Sequence, residues 1–378
     1  MAEDISKTAA GGGADTPDTP AYTPFGLEPQ TRAPAGYVPF GLDPESAAAP
    51  AGSAPAASMD EEAAAAPQKS LRERLTIPAD SAFAGWLAQM PDFARPYVAL
   101  SRLDRPVGIW LLVIPCWIGI AFTRLGQTGL QFVDILWAIA FLIGAVAMRG
   151  AGCTWNDITD RRIDAAVERT AGRPLPSGQV RLWQAGAWLA AQLLVGFLVW
   201  LILPRDAKIV ALLAIPLVAA YPFMKRLTWW PQAWLGATMN WGVLVAAATV
   251  GSISLSTVIL WIGLAAWTIA YDTIYALQDR EDDELIGVKS TARLFSDHAA
   301  IAAFCFHLLA AAVFALAAWF MGAGRLGAIT ALVFLLHGGW QYVRLKASKE
   351  AKALETFKSN VWAGAILAAG TAIAALAA

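Results

Sequence analysis

Long apolar runs fill the chain from about residue 95 to its end, separated by short joints of glycine, proline or charged residues. Each run approaches the roughly 20 apolar residues that an α-helix needs to cross a bilayer. The bilayer core offers no water to unpaired backbone groups, so we expect these runs to be helical. Nine spans are predicted, at about 106–123, 132–153, 184–203, 206–223, 232–250, 255–275, 298–321, 326–343 and 359–377.

The first part of the chain has a different pattern. Residues 1–68 are rich in Ala, Pro, Gly, Ser and Thr, and they cannot bury enough apolar surface to fold, so we predict a disordered tail. Within it, YTPFGLEP at 22–29 recurs as YVPFGLDP at 37–44. A duplicated linker and a pair of docking motifs for an unidentified partner are both open. Residues 69–94 are predicted to be a linker with a short amphipathic surface helix, and 95–378 to be the membrane domain.

Composition and charge support a membrane protein. The chain is 57% apolar and 15% charged, whereas soluble domains carry about 25% charged residues. A net charge of −1 argues against a nucleic-acid partner, and the three cysteines lack the spacing of a disulfide framework or zinc site. The N-terminus has no basic start followed by an apolar run, so we expect it on the cytoplasmic side. Nine spans then place 19 Lys and Arg residues of the membrane domain inside and four outside, as the positive-inside rule requires.

Two predicted inner connections carry acidic clusters of similar spacing. The first follows span two and contains Asn156, Asp157, Asp160 and Asp164. The second follows span six and contains Asp272, Tyr275, Gln278, Asp279, Asp282 and Asp283. Within each cluster, steps of three or four residues would place the polar groups on one face of a helix.

Carboxylates stacked on one face repel one another unless a cation neutralises them. Oxygen ligands suit Mg²⁺, which commonly binds one or two carboxylates together with waters and substrate phosphates. Two acidic helix ends on the same side of the membrane therefore predict a site that holds a diphosphate through Mg²⁺. Solvated loops with capping acids are the plain alternative.

Basic and tyrosine side chains complete the predicted site. Arg149 lies within the apolar end of span two, and an ionisable residue at such a depth is a functional candidate. Lys225 follows span four and is placed to contact a diphosphate oxygen. The other candidates for substrate binding are Arg102, Arg105, Arg173, Tyr221 and Lys289.

These motifs resemble the signatures of the UbiA-type membrane prenyltransferases. The first is Asn156-Asp157-x-x-Asp160-x-x-x-Asp164, followed by RTAGRPLPSG at 169–178. The second runs from Asp272 to Asp283 and is followed by GVKST at 287–291. Tyr221-x-x-x-Lys225 and the RLDRPVG segment at 102–108 are also similar to elements of the family. The resemblance covers about residues 95–378. The sequences of its motifs are most similar to those of the branch that prenylates 4-hydroxybenzoate in ubiquinone synthesis.

This resemblance implies nine helices around a central cavity, dependence on Mg²⁺, a polyprenyl diphosphate donor and 4-hydroxybenzoate as acceptor. It places the enzyme in the bacterial inner membrane, in contact with lipid, with its site toward the cytoplasm. The aspartates would hold the metal, and Lys225 and Arg173 would stabilise the leaving diphosphate. We expect Asp272 to orient the phenol or take the ring proton, and Arg149 to pair with the benzoate carboxylate.

Two alternatives to this function stay open. One is a UbiA-type enzyme with another acceptor, such as homogentisate, a naphthoate or a haem. The other is a membrane transporter that uses the acids as a relay, although such a relay favours charges near the bilayer midplane.

Overall fold

A computed structural model describes residues 84–378, apart from residues 128, 167 and 286. The predicted tail at 1–68 and its repeat, together with most of the predicted linker, lie outside these residues. Every described element is helical. The α-helices are α1 (Ala84–Gln89), α2 (Arg95–Leu100), α3 (Val107–Leu125), α4 (Phe132–Ala166), α5 (Glu168–Ala171), α6 (Leu182–Ile202), α7 (Arg205–Leu227), α8 (Pro231–Met239), α9 (Trp241–Val250), α10 (Leu255–Ala276), α11 (Arg280–Leu285), α12 (Thr291–Phe295), α13 (Ala299–Phe320), α14 (Gly324–Ala347), α15 (Ala353–Lys358) and α16 (Asn360–Leu376).

The prediction of an all-α integral membrane protein is confirmed. Within the described part of the chain, nine helical stretches are long and apolar enough to cross a membrane. The chain is therefore a multi-pass membrane protein. Exposed apolar side chains such as Leu194 on α6 and Leu213 on α7 lie on its outer surface, as a bilayer solvent requires.

Span two is longer than predicted. We expected it to end near residue 153 and the first acidic cluster to be a connection, but α4 continues as a helix of 35 residues to Ala166. The apolar run ends where the helix leaves the bilayer core, yet residues 153–166 contain no glycine or proline to stop the helix. The first cluster is consequently held on a helix.

Span five is broken where a single helix was predicted. α8 ends at Met239 and α9 begins at Trp241, with Asn240 between them. The buried Asn240 side chain donates to the Gly236 carbonyl at 2.8 Å and to Thr268 Oγ1 at 2.7 Å. Side chains that hydrogen-bond freed backbone groups are what makes such a break tolerable inside a membrane.

The core lies along α10 and α3. α10 packs against α13 and α8, and α3 packs against α9 and α16. Trp267 on α10 and Phe122 on α3 are fully buried there. In contrast, α6 packs mainly against α4, and it barely touches α7 although only two residues join them.

An ion pair closes the end of the α3–α4 hairpin that lies opposite the two acidic clusters. Arg124 Nη2 lies 2.9 Å from Asp134 Oδ1, and Arg124 Nε contacts both carboxylate oxygens. Arg124 Nη1 also donates to Gln127 Oε1 at 3.3 Å. We call Arg124 and Asp134 the outer pair; both side chains are about nine-tenths buried or more.

Candidate active site

The first acidic cluster lies on one face at the C-terminal end of α4, as its spacing predicted. We call the helix ends on the side of the acidic clusters the inner ends. Asp157, Asp160 and Asp164 are all buried, with 0%, 1% and 6% of their surfaces exposed. Three carboxylates so close together on one helix need positive partners. Asn156, predicted beside them, is half-buried on the same turn of α4.

Two arginines from outside α4 supply part of that charge. Arg102, just after α2, donates to Asp157 Oδ1 at 2.8 Å. Arg173 reaches Asp164 Oδ2 at 2.8 Å and lies 3.7 Å from Asp157 Oδ1. Burial disfavours a charged guanidinium, but the charge and hydrogen bond of Asp157, together with nearby Cys153 and Tyr275, outweigh it. The pKa of Arg102 is therefore raised and the residue stays cationic.

The inner end of α7 supplies two more cations, both to one carboxylate. Lys225 Nζ lies 2.5 Å from Asp160 Oδ2, and Arg226 Nη2 lies 2.7 Å from Asp160 Oδ1. Sequence reasoning identified Lys225 but missed Arg226, which it counted only as a positive-inside charge. The sequence feature that could have identified Arg226 is its position directly after Lys225, at the end of the same span. We call the three aspartates and their four partners, Arg102, Arg173, Lys225 and Arg226, the inner cluster.

The second acidic cluster is spread over more than one helical element. Asp272 and Tyr275 lie on α10, but the chain tightens into a 3₁₀ turn at Leu277–Asp279 before α11 begins. The spacing assumed one continuous α-helix, and that helix ends at Ala276. Asp279 nevertheless lies near enough to Asp272 to interact with it electrostatically. Gln278 is exposed and donates to the Tyr275 carbonyl at 3.0 Å, and the side chain of Asp282 lies outside the described residues.

Arg149 connects the two signatures. It lies on α4 and interacts electrostatically with Asp272 and Tyr275 on α10 and with Tyr221 on α7. Its guanidinium packs on α3, because a Cβ added to Gly108 would lie 2.5 Å from Arg149 Nε. Arg149 Nε is buried without a hydrogen-bond partner. The inner ends of spans two, four and six therefore converge on one region.

The loop after α11 packs against the same region. The Lys289 backbone N–H donates to the Lys225 carbonyl at 3.0 Å, and Lys289 Nζ donates to the Leu227 carbonyl at 3.4 Å. Gln232, at the start of α8, accepts from the Thr291 N–H at 3.0 Å and also hydrogen-bonds Asp272. Sequence reasoning missed Gln232, because an amide two residues after an aromatic pair has no motif of its own.

Arg105 forms an ion pair with the residue before it in the chain. Its Nε lies 3.2 Å from Asp104 Oδ2, on the neighbouring residue. Asp104 is fully buried and its second oxygen, Oδ1, has no hydrogen-bond partner. This segment leads directly into α3, beside Arg102.

The donor set fits a hard divalent cation in its chemistry. The buried Asp157 Oδ2 has no hydrogen-bond partner, and the neighbouring acids offer only oxygen ligands. Among the described residues, no three acidic, histidine or cysteine side chains stand close enough to hold one ion together. A metal here would therefore need ligands from outside the protein as well, which is how Mg²⁺ is commonly bound with substrate phosphates.

Comparison with known proteins defines the class. The family model described as the UbiA prenyltransferase family matches residues 105–370, and the chain belongs to this family. It is 38% identical over 293 residues to the mitochondrial 4-hydroxybenzoate polyprenyltransferase of Arabidopsis thaliana, covering 77% of this chain and 71% of that one. It is 40% identical over 291 residues to the 4-hydroxybenzoate octaprenyltransferase of Pseudomonas putida (strain W619), covering 74% and 93%.

The fold is shared with a solved structure of the family. A UbiA homolog from Archaeoglobus fulgidus, bound to DMAPP and Mg²⁺, superposes with a TM-score of 0.57 over 75% of this chain and 99% of that chain. At 14% identity this likeness concerns the fold alone.

Proposed function

We propose that this enzyme transfers a polyprenyl group from a polyprenyl diphosphate to 4-hydroxybenzoate. The allylic C–O bond of the donor breaks, and a C–C bond forms at the ring carbon ortho to the hydroxyl. The ring proton and the diphosphate leave. Membership of the UbiA family and the names of the two relatives support this reaction.

The inner cluster is the observation that carries the proposal. Its four cations come from three separate segments of the chain and meet on carboxylates of a single helix. The side chains of Lys225, Arg226 and Arg173 remain between 25% and 37% exposed, so they are accessible to a ligand from the inner side. Guanidinium and ammonium groups are the side chains that bind phosphate oxygens most strongly.

We assign metal binding to Asp157, Asp160 and Asp164 on α4 and to Asp279 and Asp283 of the second signature, with Asn156 and Asp282 as further ligands. Bound Mg²⁺ would neutralise the diphosphate and stabilise it as the leaving group. Lys225, Arg226 and Arg173 would add positive charge where the negative charge develops. Lys289 lies next to Lys225 and would act on the same group.

The acceptor would bind between Arg149 and Asp272. The unpartnered, buried Arg149 Nε is suited to a benzoate carboxylate, since arginine binds carboxylates through paired donors. Asp272 lies deeper on α10 than the rest of its cluster, so it is our candidate for orienting the phenol or taking the ring proton. Tyr221 and Tyr275, which interact with Arg149, would line this subsite. Arg102, which is paired with Asp157, would lie at the diphosphate end of the site together with Arg105 and Gln278.

The proposal places the site at the cytoplasmic face of a bacterial inner membrane. The distribution of Lys and Arg supports the orientation, and the relative from Pseudomonas supports the compartment. The Arabidopsis relative is named as mitochondrial, so fractionation of the source cells decides the membrane.

The test is to incubate membranes that contain the chain with labelled 4-hydroxybenzoate, a polyprenyl diphosphate and Mg²⁺. Mass spectrometry of the lipid extract should show the acceptor plus one prenyl chain minus one hydrogen. The matched control is Asp160→Asn, which should form product about 100-fold more slowly at equal protein level. A panel of homogentisate, a naphthoate and haem tests the acceptor; product from one of these and none from 4-hydroxybenzoate would overturn the substrate assignment.

A further inference from the structure

Two polar side chains of helix α6 converge on one serine of another segment. α6 is covered with exposed apolar side chains, yet Trp188 Nε1 and Gln192 Nε2 both donate to Ser101 Oγ, at 2.7 Å and 2.6 Å. Gln192 is 8% exposed. A buried amide within a membrane helix is unfavourable unless it is hydrogen-bonded, and it commonly marks function.

Ser101 immediately precedes Arg102, which has an unusual backbone. Arg102 has a φ of +56°, in the left-handed region that disfavours residues other than glycine. Arg102 is the residue directly after the C-cap of α2. The Leu103 N–H donates to the Val98 carbonyl at 3.1 Å, which is the hydrogen bond of a Schellman motif. Glycine is the usual residue at the position that Arg102 occupies in this motif. An arginine here indicates that its side chain is needed, and that side chain reaches Asp157.

The other end of Gln192 reaches α4. Its Oε1 accepts from Thr154 Oγ1 at 3.2 Å, three residues before Asp157. Gly150 makes room for this contact, because a Cβ added there would lie 2.4 Å from Gln192 Nε2 and 3.2 Å from the Ser101 Cβ. One amide therefore links the Ser101–Arg102 turn to the stretch of α4 that carries Asp157.

We propose that Gln192 is a positioning residue of the active site. By holding Ser101 and Thr154 at a fixed separation, it keeps the strained Arg102 turn in place and its guanidinium on Asp157. This rests on the proposed function, in which Arg102 and Asp157 belong to the diphosphate end of the site.

Loss of the Gln192 amide should impair the binding of polyprenyl diphosphate and leave the binding of 4-hydroxybenzoate unchanged. Gln192→Leu, which removes the amide at nearly constant volume, should raise the KM for polyprenyl diphosphate about tenfold, because the Arg102–Asp157 pair is no longer fixed. The KM for 4-hydroxybenzoate should be unchanged. The purified variant should also bind inorganic diphosphate with Mg²⁺ more weakly, as measured by the ligand concentration that raises its melting temperature.

Two matched substitutions on α6 serve as a second arm. Trp188→Phe removes the other donor to Ser101 and should shift the donor KM in the same direction, which keeps the test valid if Gln192→Leu does not fold. Trp183→Phe changes a tryptophan that is 67% exposed on the same helix, and it should have no effect.

A double-mutant cycle with Arg102→Gly separates positioning from general packing. Glycine adopts the left-handed backbone without strain and lacks the guanidinium, so in this background Gln192→Leu should add no further loss. Equal losses in both backgrounds, or a donor KM unchanged by Gln192→Leu and Trp188→Phe while Arg102→Gly raises it, would overturn the inference alone. An unchanged donor KM in Arg102→Gly would instead overturn the proposed role of Arg102 and, with it, this inference.

Discussion

The inner cluster and the outer pair both contain buried charges, but they differ in how far their hydrogen-bonding atoms have partners. In the outer pair, Arg124 donates several hydrogen bonds to Asp134. Gln127 Oε1 accepts a further hydrogen bond from Arg124, and the Gln131 N–H donates to Asp134. In the inner cluster, Asp157 keeps an unpartnered oxygen and nearby Arg149 an unpartnered nitrogen. A saturated pair needs no further partner, whereas we propose that the incomplete inner cluster receives a ligand.

The largest effect on activity should follow removal of charge from the inner cluster. Asp160→Asn keeps the size of the side chain but loses the charge that Lys225 and Arg226 face. We expect the initial rate of prenyl transfer to fall by about 100-fold or more, the scale of losing a main electrostatic contact to the reacting group. Rates measured at equal amounts of folded protein would check this, and a rate within a few-fold of wild type would contradict it.

The two cations of α7 should have the next largest effect. Lys225→Met or Arg226→Gln removes a charged hydrogen-bond donor, and such a bond is worth about 1.5–3 kcal/mol. The KM for polyprenyl diphosphate should therefore rise about 10-fold to 100-fold. Lys208→Met, at the outer end of the same helix, is the control and should leave this KM unchanged. Equal effects of Lys208 and Lys225 would mean that the helix and not the site is being perturbed.

Arg149→Lys should have a smaller effect, and this effect should be on the acceptor and not on the donor. Lysine keeps the charge but cannot offer paired donors to a carboxylate. We expect the KM for 4-hydroxybenzoate to rise about tenfold while that for polyprenyl diphosphate stays constant, as steady-state kinetics with each substrate varied would show. A rise in the donor KM alone would place Arg149 at the diphosphate instead.

The outer pair should affect stability and leave activity unchanged. Arg124→Leu leaves Asp134 buried without its partner, which should lower the free energy of unfolding by about 3 kcal/mol. Thermal unfolding in detergent would measure the loss, and the double variant Arg124→Leu/Asp134→Leu should recover most of it. Loss of activity per folded molecule in the double variant would contradict the separation of the two regions.

The sequence was sufficient for the fold class, because each span had to be apolar along its whole length. The exact limits of α4 and the break at Asn240 were not predictable. The first depends on polar residues that continue a helix beyond the bilayer, and the second on the amide of Asn240 reaching Thr268 on another helix.

The site was predictable where its residues share a helix and obscure where they meet across helices. The spacing of Asp157, Asp160 and Asp164 predicted that they share one face of a helix, and the structure has all three buried on α4. The pairing of Arg226 with Asp160 and of Gln192 with Ser101 joins residues 66 and 91 positions apart, and no local pattern shows either.

The most direct measurement is the melting temperature of three purified proteins with Mg²⁺ and inorganic diphosphate. A ligand that binds the folded state stabilises it by mass action. The wild type and the double variant Arg124→Leu/Asp134→Leu should gain the same rise in melting temperature when both ions are present, and Asp160→Asn should gain none. An equal rise in Asp160→Asn would contradict the account, because the diphosphate would then bind without the inner cluster.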